Sequence, residues 1–409
     1  MSGPRLFVRP RRTRRGAALT LVFASVLATG AAANSWAEYR QDGQGGRKEV
    51  RIPARAVAGS AELEAAAVAA MEDGKSASEA AEDVVSRSGD RWGAVYSARE
   101  YEGFQQTLDG EYVGVGLWVR RTEGGLIEVA RVQPGSPAAK AGLHADDRLR
   151  SIDDKRVTGR PVTEVTAGLR GDAPAGDSAG AAAGTPVVLG LQRGDRKWTR
   201  TLQRARLAKE TVTVDRAGAS SGTARSGARP TRIKVTAFTK GSGEQVRRAV
   251  RAAPRAGGLL LDLRGNSGGL VTEAVTAASA FLDGGLVATY DVRGDQRALY
   301  AKPGGDTRTP LVVLVDGGTM SAAELLTGAL QDRGRTVVVG SRTFGKGSVQ
   351  MPSELPDGSV AELTVGHYRT PAGRGVDTRG IVPDLAVSGD ARSTEKKART
   401  VLSGLGGGV

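Results

Sequence analysis

Apolar strands alternate with amphipathic helices through the second half of the chain. The pattern predicts helices over 243–253, 270–282 and 322–331, and strands over 233–238, 258–263, 286–290, 311–315, 336–340 and 361–368. Strands that alternate with helices form a parallel or mixed sheet that is covered by the helices. Residues 209–387 are therefore expected to form an α/β core around a mixed sheet.

Residues 113–208 have a different pattern, with short strands separated by turns. Strands are predicted over 113–119, 126–132, 149–152, 187–192 and 197–203, with one helix after Ser136-Pro137 and another over 161–169. The Gly/Ala/Asp/Pro stretch 171–184 predicts a loop insertion, and the Gly/Ser/Ala/Arg stretch 215–230 predicts a linker. We expect a small β-rich domain ahead of the α/β core.

The two ends of the folded part have weaker patterns. Between residues 61 and 87 small apolar residues recur at helical spacing, and Gly74 and Ser76 divide the run into two helices. Residues 38–112 are therefore interpreted as a small helical packing module. Residues 388–409 predict a flexible, frayed tail. The whole chain is expected to be an α+β multidomain protein.

Residues 1–37 have the layout of a targeting segment. Six arginines precede residue 16, and an uncharged run follows as far as Ala37. Ala31-Ala32-Ala33 offers a signal-peptide cleavage site, whereas the same run left uncleaved would anchor the chain in a membrane. Under either interpretation the rest of the chain is expected outside the cytoplasm, either secreted or held at the outer face of the membrane.

The amino-acid composition excludes several kinds of functional site. The 409 residues contain no cysteine and two histidines, His144 and His367, which excludes disulfides, thiolate nucleophiles and cysteine-based metal sites. The net charge of +14 comes largely from the first 15 residues and from scattered arginines without interleaved aromatic residues, so we do not expect nucleic-acid binding. With 4% aromatic residues and 58 glycines, several modest domains are favoured over one large core.

Ser321 follows an apolar strand and immediately precedes a helix. A serine at such a turn is exposed to substrate, the helix N-terminus favours a developing anion, and the N–H of Ala322 points the right way for an oxyanion hole. A second interpretation needs no catalysis, because Ser321 and Glu324 also have the spacing of a helix capping box. This segment alone does not decide between the two.

Lys346 lies between Gly345 and Gly347 and follows Phe344. If the phenylalanine helps to exclude water, burial lowers the pKa of the lysine and leaves an amine that can accept a proton from a serine. Gln350, four positions later, is within reach to orient that amine. The other interpretation is a solvated lysine in a turn.

The stretch from Gly340 to Lys346 also matches the first seven positions of a nucleotide-binding P-loop. However, Gly347 stands where magnesium binding requires serine or threonine, and Pro352 and Pro356 oppose the helix that should follow. Nucleotide binding is therefore not expected.

A third segment ends the predicted strand 258–263 with Gly268 and Gly269. Glycine permits the positive φ that turns an N–H toward a bound oxyanion. Taken alone, the segment is equally a strand end followed by a glycine turn.

In combination the three segments resemble the C-terminal processing peptidases, also called tail-specific proteases. The resemblance covers 113–387 and rests on Asp262-Leu-Arg-x-Asn-x-Gly-Gly269, Ser321-Ala-Ala-Glu324 and Thr343-Phe-Gly-Lys-Gly-Ser-Val-Gln350, with later matches at 368–374 and 380–384. It implies Ser321 as nucleophile, Lys346 as general base and Gln350 as the residue that orients the lysine. Ala322 and either Gly268 or Gly269 would supply the oxyanion N–H groups. Thr319 and Ser267 depart mildly from the family pattern.

The resemblance also implies a PDZ domain over 113–208. In Tyr112-Val-Gly-Val115-Gly116-Leu117, the backbone N–H groups of the loop would capture a peptide C-terminal carboxylate, and the bound tail would add a strand beside 117–119. By its own pattern this glycine-containing stretch is equally a hairpin turn.

The expected protein is an extracytoplasmic serine endopeptidase that binds protein or peptide substrates at their C-terminal tails and needs no metal or nucleotide. A catalytically degenerate PDZ scaffold that binds tails without cleaving them is the alternative from another class. A Ser-His-Asp enzyme would need His144 or His367, and neither occurs where a strand end or helix presents it to Ser321. The sequence leaves open whether the chain attaches to a membrane and whether it forms a homo-oligomer.

Overall fold

The computed structural model describes residues 60–171, 181–216, 229–292, 295–388 and 390–406. The targeting segment predicted for residues 1–37, and most of the loop and linker predicted over 171–184 and 215–230, lie outside these residues. Within the described ranges, no helix has both the length and the apolar character needed to cross a membrane.

The N-terminal part shares a core cluster with residues 355–363, in the second half of the chain. Its elements are α1 (Ser60–Glu72), α2 (Ala77–Ser88), β1 (Ala94–Tyr96) and α3 (Ala98–Leu108). Leu63 and Val85 of the first two helices pack in one cluster with Leu355, Ala361 and Leu363. These helices therefore cover a sheet that is formed more than 250 residues later in the chain.

The next part is a small β-rich domain. Its elements are β2 (Glu111–Gly114), β3 (Leu117–Arg121), β4 (Ile127–Val132), α4 (Pro137–Lys140), β5 (Arg148–Ile152), β6 (Lys155–Arg156), α5 (Val162–Arg170), β7 (Pro186–Arg193), β8 (Arg196–Gln203) and β9 (Ala205–Ala208). The sheet order is β3-β4-β5-β7-β8, with β6 on β5, while β2 pairs with β9. The strand predicted over 113–119 is interrupted at Gly116, whose φ is +81°.

The remaining elements form two sheets. They are β10 (Val212–Arg216), β11 (Thr231–Val235), α6 (Ser242–Ala252), β12 (Leu259–Asp262), α7 (Val271–Ala278), β13 (Leu286–Val292), β14 (Asp295–Tyr300), β15 (Leu311–Val315), α8 (Ala322–Asp332), β16 (Val337–Gly340), β17 (Ser348–Glu354), β18 (Val360–Arg369), β19 (Leu385–Ala386) and α9 (Ala391–Gly406). The first sheet has the order β10-β11-β12-β15-β16-β19 and is parallel except for the pair β10–β11.

Both faces of this first sheet are covered, which explains why β15 is apolar at every position. Helices α6, α7 and α8 pack on one face. On the other face, Ala398 and Leu402 of α9 pack against Leu260, Val312 and Leu314. The prediction of a flexible tail over 388–409 is therefore wrong, because a helix with a narrow apolar stripe covers the sheet there.

The second sheet was not predicted as a separate layer. Strand β18 lies at its centre and pairs in antiparallel fashion with β17 along one edge, and with β1 and β13 along the other; β14 extends the sheet beyond β13. This sheet carries Gln350 on β17, directly after the segment that contains Lys346. The predicted nucleophile thus follows a strand of the first sheet, whereas the predicted base precedes a strand of the second.

Candidate active site

Ser321 occupies a strained turn between β15 and α8. Its φ and ψ are 55° and −117°, and 1% of its surface is exposed. An ordinary helix N-cap has extended backbone angles. Holding a non-glycine residue in the sparsely populated region that Ser321 occupies costs about 1–3 kcal/mol. Glu324 does accept the Ser321 N–H, at 2.9 Å, so part of the capping box forms. The strain nevertheless distinguishes this turn from a simple cap.

The turn is tied to the loop that follows β12. The Thr319 hydroxyl donates to the carbonyl of Leu263 at 3.0 Å, and the N–H of Met320 donates to the carbonyl of Asn266 at 2.8 Å. Thr319 thus supplies a hydroxyl despite its departure from the family pattern. Two neighbouring strand ends of the parallel sheet are joined at the site in this way.

Glu324 connects the turn that contains Ser321 to the loop that contains Lys346. One of its carboxylate oxygens, Oε2, accepts the N–H groups of both Ser321 and Lys346 at 2.9 Å each, and the other accepts the N–H of Gly345 at 2.8 Å. The residue is fully buried, and this burial raises the pKa of its carboxyl against the opposing effect of the hydrogen bonds. The sequence suggested Glu324 only as a capping residue.

Tyr368 makes a second connection. Its hydroxyl lies 3.0 Å from the carbonyl oxygen of Ser321 and 3.0 Å from that of Lys346, so it can donate to either. Burial raises the pKa of this phenol well above its ordinary value and keeps it in the protonated, donating form. The backbones of Ser321 and Lys346 are therefore held together by two buried side chains.

Lys346 is fully buried. Burial lowers the pKa of its amine to about 8, although nearby carboxylates act in the opposite direction. Gly347 permits the close approach of another segment, because a Cβ there would lie 2.4 Å from the N atom of Asp377. Strand β17 follows Lys346 directly, so this stretch lacks the helix N-terminus that a P-loop uses to bind phosphate.

Trp92 excludes water from this lysine. Its ring centroid lies 5.1 Å from Lys346 Nζ, and the residue is 8% exposed. Phe344, which we expected in that role, is 43% exposed and packs against Trp92 at a centroid distance of 5.7 Å. The sequence gave no local signal for Trp92, because it precedes the lysine by more than 250 residues.

Gln350 is buried beside this group. Its Nε2 donates to the hydroxyls of Ser348 at 2.7 Å and Thr364 at 3.2 Å. Its Oε1 is buried and makes no hydrogen bond among the described residues, so the side chain has an acceptor for a further donor. Asp90 fixes Thr364 in turn, accepting its N–H at 2.7 Å and its hydroxyl at 2.8 Å. Asp90 was not predicted as a site residue.

The two candidate oxyanion glycines differ in their surroundings. A Cβ on Gly268 would lie 2.9 Å from the Cβ of Ser321, so Gly268 packs directly against Ser321, but its N–H donates to Asn266 at 2.8 Å. Gly269 pairs with Phe238 in a parallel bridge. In that pairing Phe238 bonds to the carbonyl of Gly268 and the N–H of Leu270, so the Gly269 N–H points away from Phe238. The N–H of Ala322 belongs to the first turn of α8.

An apolar pocket adjoins Ser321. Its lining contains Ser321, Ser348 and the larger apolar side chains Val271, Tyr290, Leu299, Leu325, Val349 and Tyr368. The side chains come from four strands of the second sheet, from helices α7 and α8, and from the turn that contains Ser321. These side chains line a narrow cleft of about 10 Å³ and make the surroundings of Ser321 apolar.

The two histidines lie elsewhere. His144 belongs to the β-rich domain, between α4 and β5. His367 has a side chain that is 55% exposed, with Nε2 3.8 Å from a carboxylate oxygen of Asp377, whereas the next residue, Tyr368, points into the site. Among the described residues no group of three or more histidine or acidic side chains is arranged to hold a metal ion.

The predicted tail-binding residues lie at the edge of the β-rich domain. The Val115 side chain is buried in the core of that domain, and its carbonyl accepts the N–H of Ala138 at 3.0 Å. Gly116 packs against Ser136, where a Cβ would lie 2.3 Å away. Leu117 begins β3, which is an edge strand with α5 alongside. Because the Val115 side chain is buried, this residue could contact a ligand only through its backbone.

Comparison with known proteins agrees with this architecture. Residues 231–387 match peptidase family S41, and residues 128–175 match the PDZ domain. The carboxyl-terminal-processing protease of Picosynechococcus sp. is 32% identical over 70% of this chain and 67% of that protein, and that of Synechocystis sp. is 33% identical over 70% and 65%. The carboxy-terminal processing protease CtpA of Bacillus subtilis is 29% identical over 78% and 69%.

A solved structure, a photosystem II D1 C-terminal processing protease, is 28% identical, covers 81% of this chain and 86% of its own, and has a TM-score of 0.48. The chain spans about two thirds of the length of the curated relatives it matches. It contains a PDZ domain and belongs to the C-terminal processing peptidases of family S41, a family of serine peptidases.

Proposed function

We propose that the chain is an endopeptidase that cleaves proteins near their C-termini, with Ser321 as nucleophile and Lys346 as general base. The observation that carries this proposal is the joint anchorage of the two residues on one carboxylate oxygen of Glu324 and on the Tyr368 hydroxyl. Such anchorage fixes the geometry between a nucleophile and a base.

In the proposed reaction, Ser321 Oγ attacks the scissile carbonyl carbon and its proton passes to Lys346 Nζ. Lys346 then gives the proton to the departing amine. Water next attacks the ester and loses a proton to the same Nζ, which returns it to Ser321 Oγ as the ester bond breaks. A pKa of about 8 supports this role, since it leaves a useful fraction of free amine near neutral pH. We assign Gln350 to orienting the amine through its available Oε1.

The oxyanion of the tetrahedral intermediate is assigned to the N–H groups of Ala322 and Gly269. Gly269 is preferred over Gly268 because the Gly268 N–H is engaged by Asn266. Gly268 instead gives the loop its close approach to Ser321. Removing a single oxyanion donor typically costs about 100- to 1000-fold in kcat.

Substrate selection is proposed to act at two places. The apolar side chains beside Ser321 would favour an uncharged residue next to the cleaved bond. The loop at Val115, Gly116 and Leu117 would receive a C-terminal carboxylate, with the tail added as a strand to the free edge of β3. The targeting segment at residues 1–37 supports action outside the cytoplasm.

The test is cleavage of an unfolded protein with an apolar C-terminus by the full chain. We expect Ser321→Ala and Lys346→Ala each to abolish measurable cleavage, whereas His367→Ala, at an exposed position, should retain it. If the parent binds the tail but does not cut, the chain is a degenerate scaffold. Cleavage by Lys346→Ala at the parental rate would exclude the lysine mechanism.

A further inference from the structure

Glu362 is a buried carboxyl group that the reaction described above does not use. It lies on β18 and has no exposed surface. Neither carboxylate oxygen has a hydrogen-bond partner among the described residues. Burying a carboxyl without partners is costly, so a group of this kind calls for an explanation in terms of its surroundings.

Its place in the sheet puts Glu362 beside the lysine pocket. Glu362 is opposite Pro352 on β17, and Thr364 is opposite Gln350 in the same register. Because side chains two residues apart share a face of a strand, Glu362 lies on the face from which Thr364 contacts both Gln350 and Asp90. Glu362, Thr364, Gln350 and Asp90 therefore form one polar layer beside Lys346.

The titratable groups around this layer are few. Glu362 interacts electrostatically with Lys346, with Tyr96 on β1 and with Tyr101 on α3. Lys346 interacts with Glu362 and also with Asp90 and Asp377. Asp90 already accepts three hydrogen bonds, from Thr364 and Trp92, and Asp377 accepts one from the N–H of Gly347. Glu362 is the carboxyl in this group whose charge is not committed to other donors.

We propose that Glu362 is a positioning residue that controls the charge of Lys346 during catalysis. The inference rests on the proposed function. When the proton of Ser321 Oγ reaches Lys346 Nζ, a buried ammonium forms, and the carboxylate of Glu362 supplies its countercharge until the proton leaves with the amine. The same carboxylate makes the lysine harder to deprotonate in the resting enzyme.

The sign of the expected effect follows from this arrangement. An ionised Glu362 raises the pKa of Lys346, against the larger lowering caused by burial. Glu362→Gln removes that charge at nearly constant shape, so the free amine should appear at lower pH. We expect the acid limb of the rate profile to move down by about one pH unit, as is usual for loss of one nearby opposite charge.

The experiment measures inactivation of Ser321 by a small fluorophosphonate between about pH 5 and about pH 10, on the full chain. Glu354→Gln is the matched control, because Glu354 is exposed on the adjacent strand β17. Glu362→Asp, which keeps the charge, should leave the limb near that of the parent. Superimposable limbs for Glu362→Gln and Glu354→Gln would overturn the inference.

The same experiment separates this inference from the proposed function. Lys346→Ala should remove the lysine-dependent limb altogether. If Lys346→Ala reacts with the reagent as the parent does, the proposed function fails regardless of Glu362. If Lys346→Ala loses the limb but Glu362→Gln does not shift it, the lysine mechanism stands and the role of Glu362 is rejected.

Thermal unfolding gives an independent readout. Burial raises the pKa of Glu362 to about 7, so the folded protein keeps a proton that the unfolded chain releases above about pH 4.3. The stability linked to this proton is fully present below the unfolded pKa and is lost as the pH rises through about 7. Glu362→Gln should therefore gain in midpoint over the parent as the pH rises from about 5 to about 8. A gain independent of pH, or a variant that does not fold, would contradict the proposal.

Discussion

Single atoms decide how closely the loop after β12 approaches Ser321. A Cβ on Gly268 would lie 2.9 Å from the Cβ of Ser321 and 3.0 Å from the carbonyl oxygen of Met320. The φ of Gly268, +95°, is also one that residues with a side chain rarely adopt. A glycine is required there for both reasons.

We predict that Gly268→Ala lowers kcat/KM by about 100-fold or more, the usual cost of disturbing an oxyanion site. The added methyl would displace the nucleophile turn or the glycine loop. Gly317→Ala is the control, since a Cβ at Gly317 meets no atom within 4 Å and lies in the same turn. Peptide cleavage assays measure the effect, and equal activity of the two variants would contradict it.

Trp92 provides the second prediction at this scale. Trp92→Ala admits water to Lys346, so the pKa of the amine should rise toward 10.5 and the acid limb should move to higher pH. The loss of the ring as a cation partner acts in the opposite direction but is the smaller effect, because burial dominates the pKa of this lysine.

The measurement is the pH dependence of cleavage, with Phe344→Ala as the comparison. Phe344 is largely exposed, so its removal should move the limb much less. A larger shift for Phe344→Ala than for Trp92→Ala would restore the original expectation from the sequence.

Residues that are close to each other in the chain were easier to predict than residues brought together by folding. Ser321 and Lys346 stand in recognisable local motifs, whereas Asp90 and Trp92 enter the site from the N-terminal part. The partners of Glu324 are likewise distant, since it contacts Gly345 and Lys346 across the boundary between the two sheets. The capping motif did not reveal these contacts, because the Glu324 carboxylate accepts the capping N–H of Ser321 and the distant N–H groups at the same time.

At the scale of elements, α9 covers one face of the first sheet. Leu402 is 4% exposed and packs against Gly258, where a Cβ would lie 2.9 Å from its Cδ1. The start of the helix is held by Arg264, which donates to the carbonyl of Ala391 at 2.7 Å and pairs with the buried Asp262. The helix is thus connected to the strand that leads to the oxyanion loop.

We predict that Leu402→Ala lowers the free energy of unfolding by about 2–5 kcal/mol, as is typical for a buried leucine. Leu405→Ala, at a position that is 44% exposed in the same helix, should change it by less than about 0.5 kcal/mol. Chemical denaturation of both variants measures the difference. Similar values for the two would mean that α9 does not contribute to the core.

The pattern predicted the four inner strands of the first sheet, β11, β12, β15 and β16, because apolar residues recur in them, but it missed the outer strands β10 and β19. It missed β14, whose residues are mostly exposed, and β17, which contains Pro352. It missed α9 because more than half of the residues in that sequence are charged or carry a hydroxyl group. Helix α9 is stabilised by packing against the sheet, and the local sequence pattern contains no information about that packing.

At the scale of the whole molecule, the β-rich domain presents the free edge of β3 while the peptidase site lies between two other sheets. If tails are captured by their terminal carboxylate, a substrate with an amidated C-terminus should be cleaved at least about 10-fold more slowly than the same substrate with a free carboxylate. Parallel cleavage assays at low substrate concentration measure this ratio.

Gly116→Ala, which would bring a methyl against Ser136, should reduce cleavage of the free-acid substrate toward that of the amide. Lys155→Ala, at an exposed position of the same domain, should preserve the ratio. Equal rates for the free acid and the amide with the parent enzyme would show that the carboxylate is not recognised.

The pairing of β1 with β18 has a consequence for the order of events during synthesis. Asp90 is bonded to Thr364, 274 residues further along the chain, and Ala94 pairs with Glu362. A ribosome must therefore have synthesised β18 before the surroundings of Lys346 can form. A nascent chain that already contains Ser321 and Lys346 but not β18 lacks the strand whose Thr364 contacts Gln350.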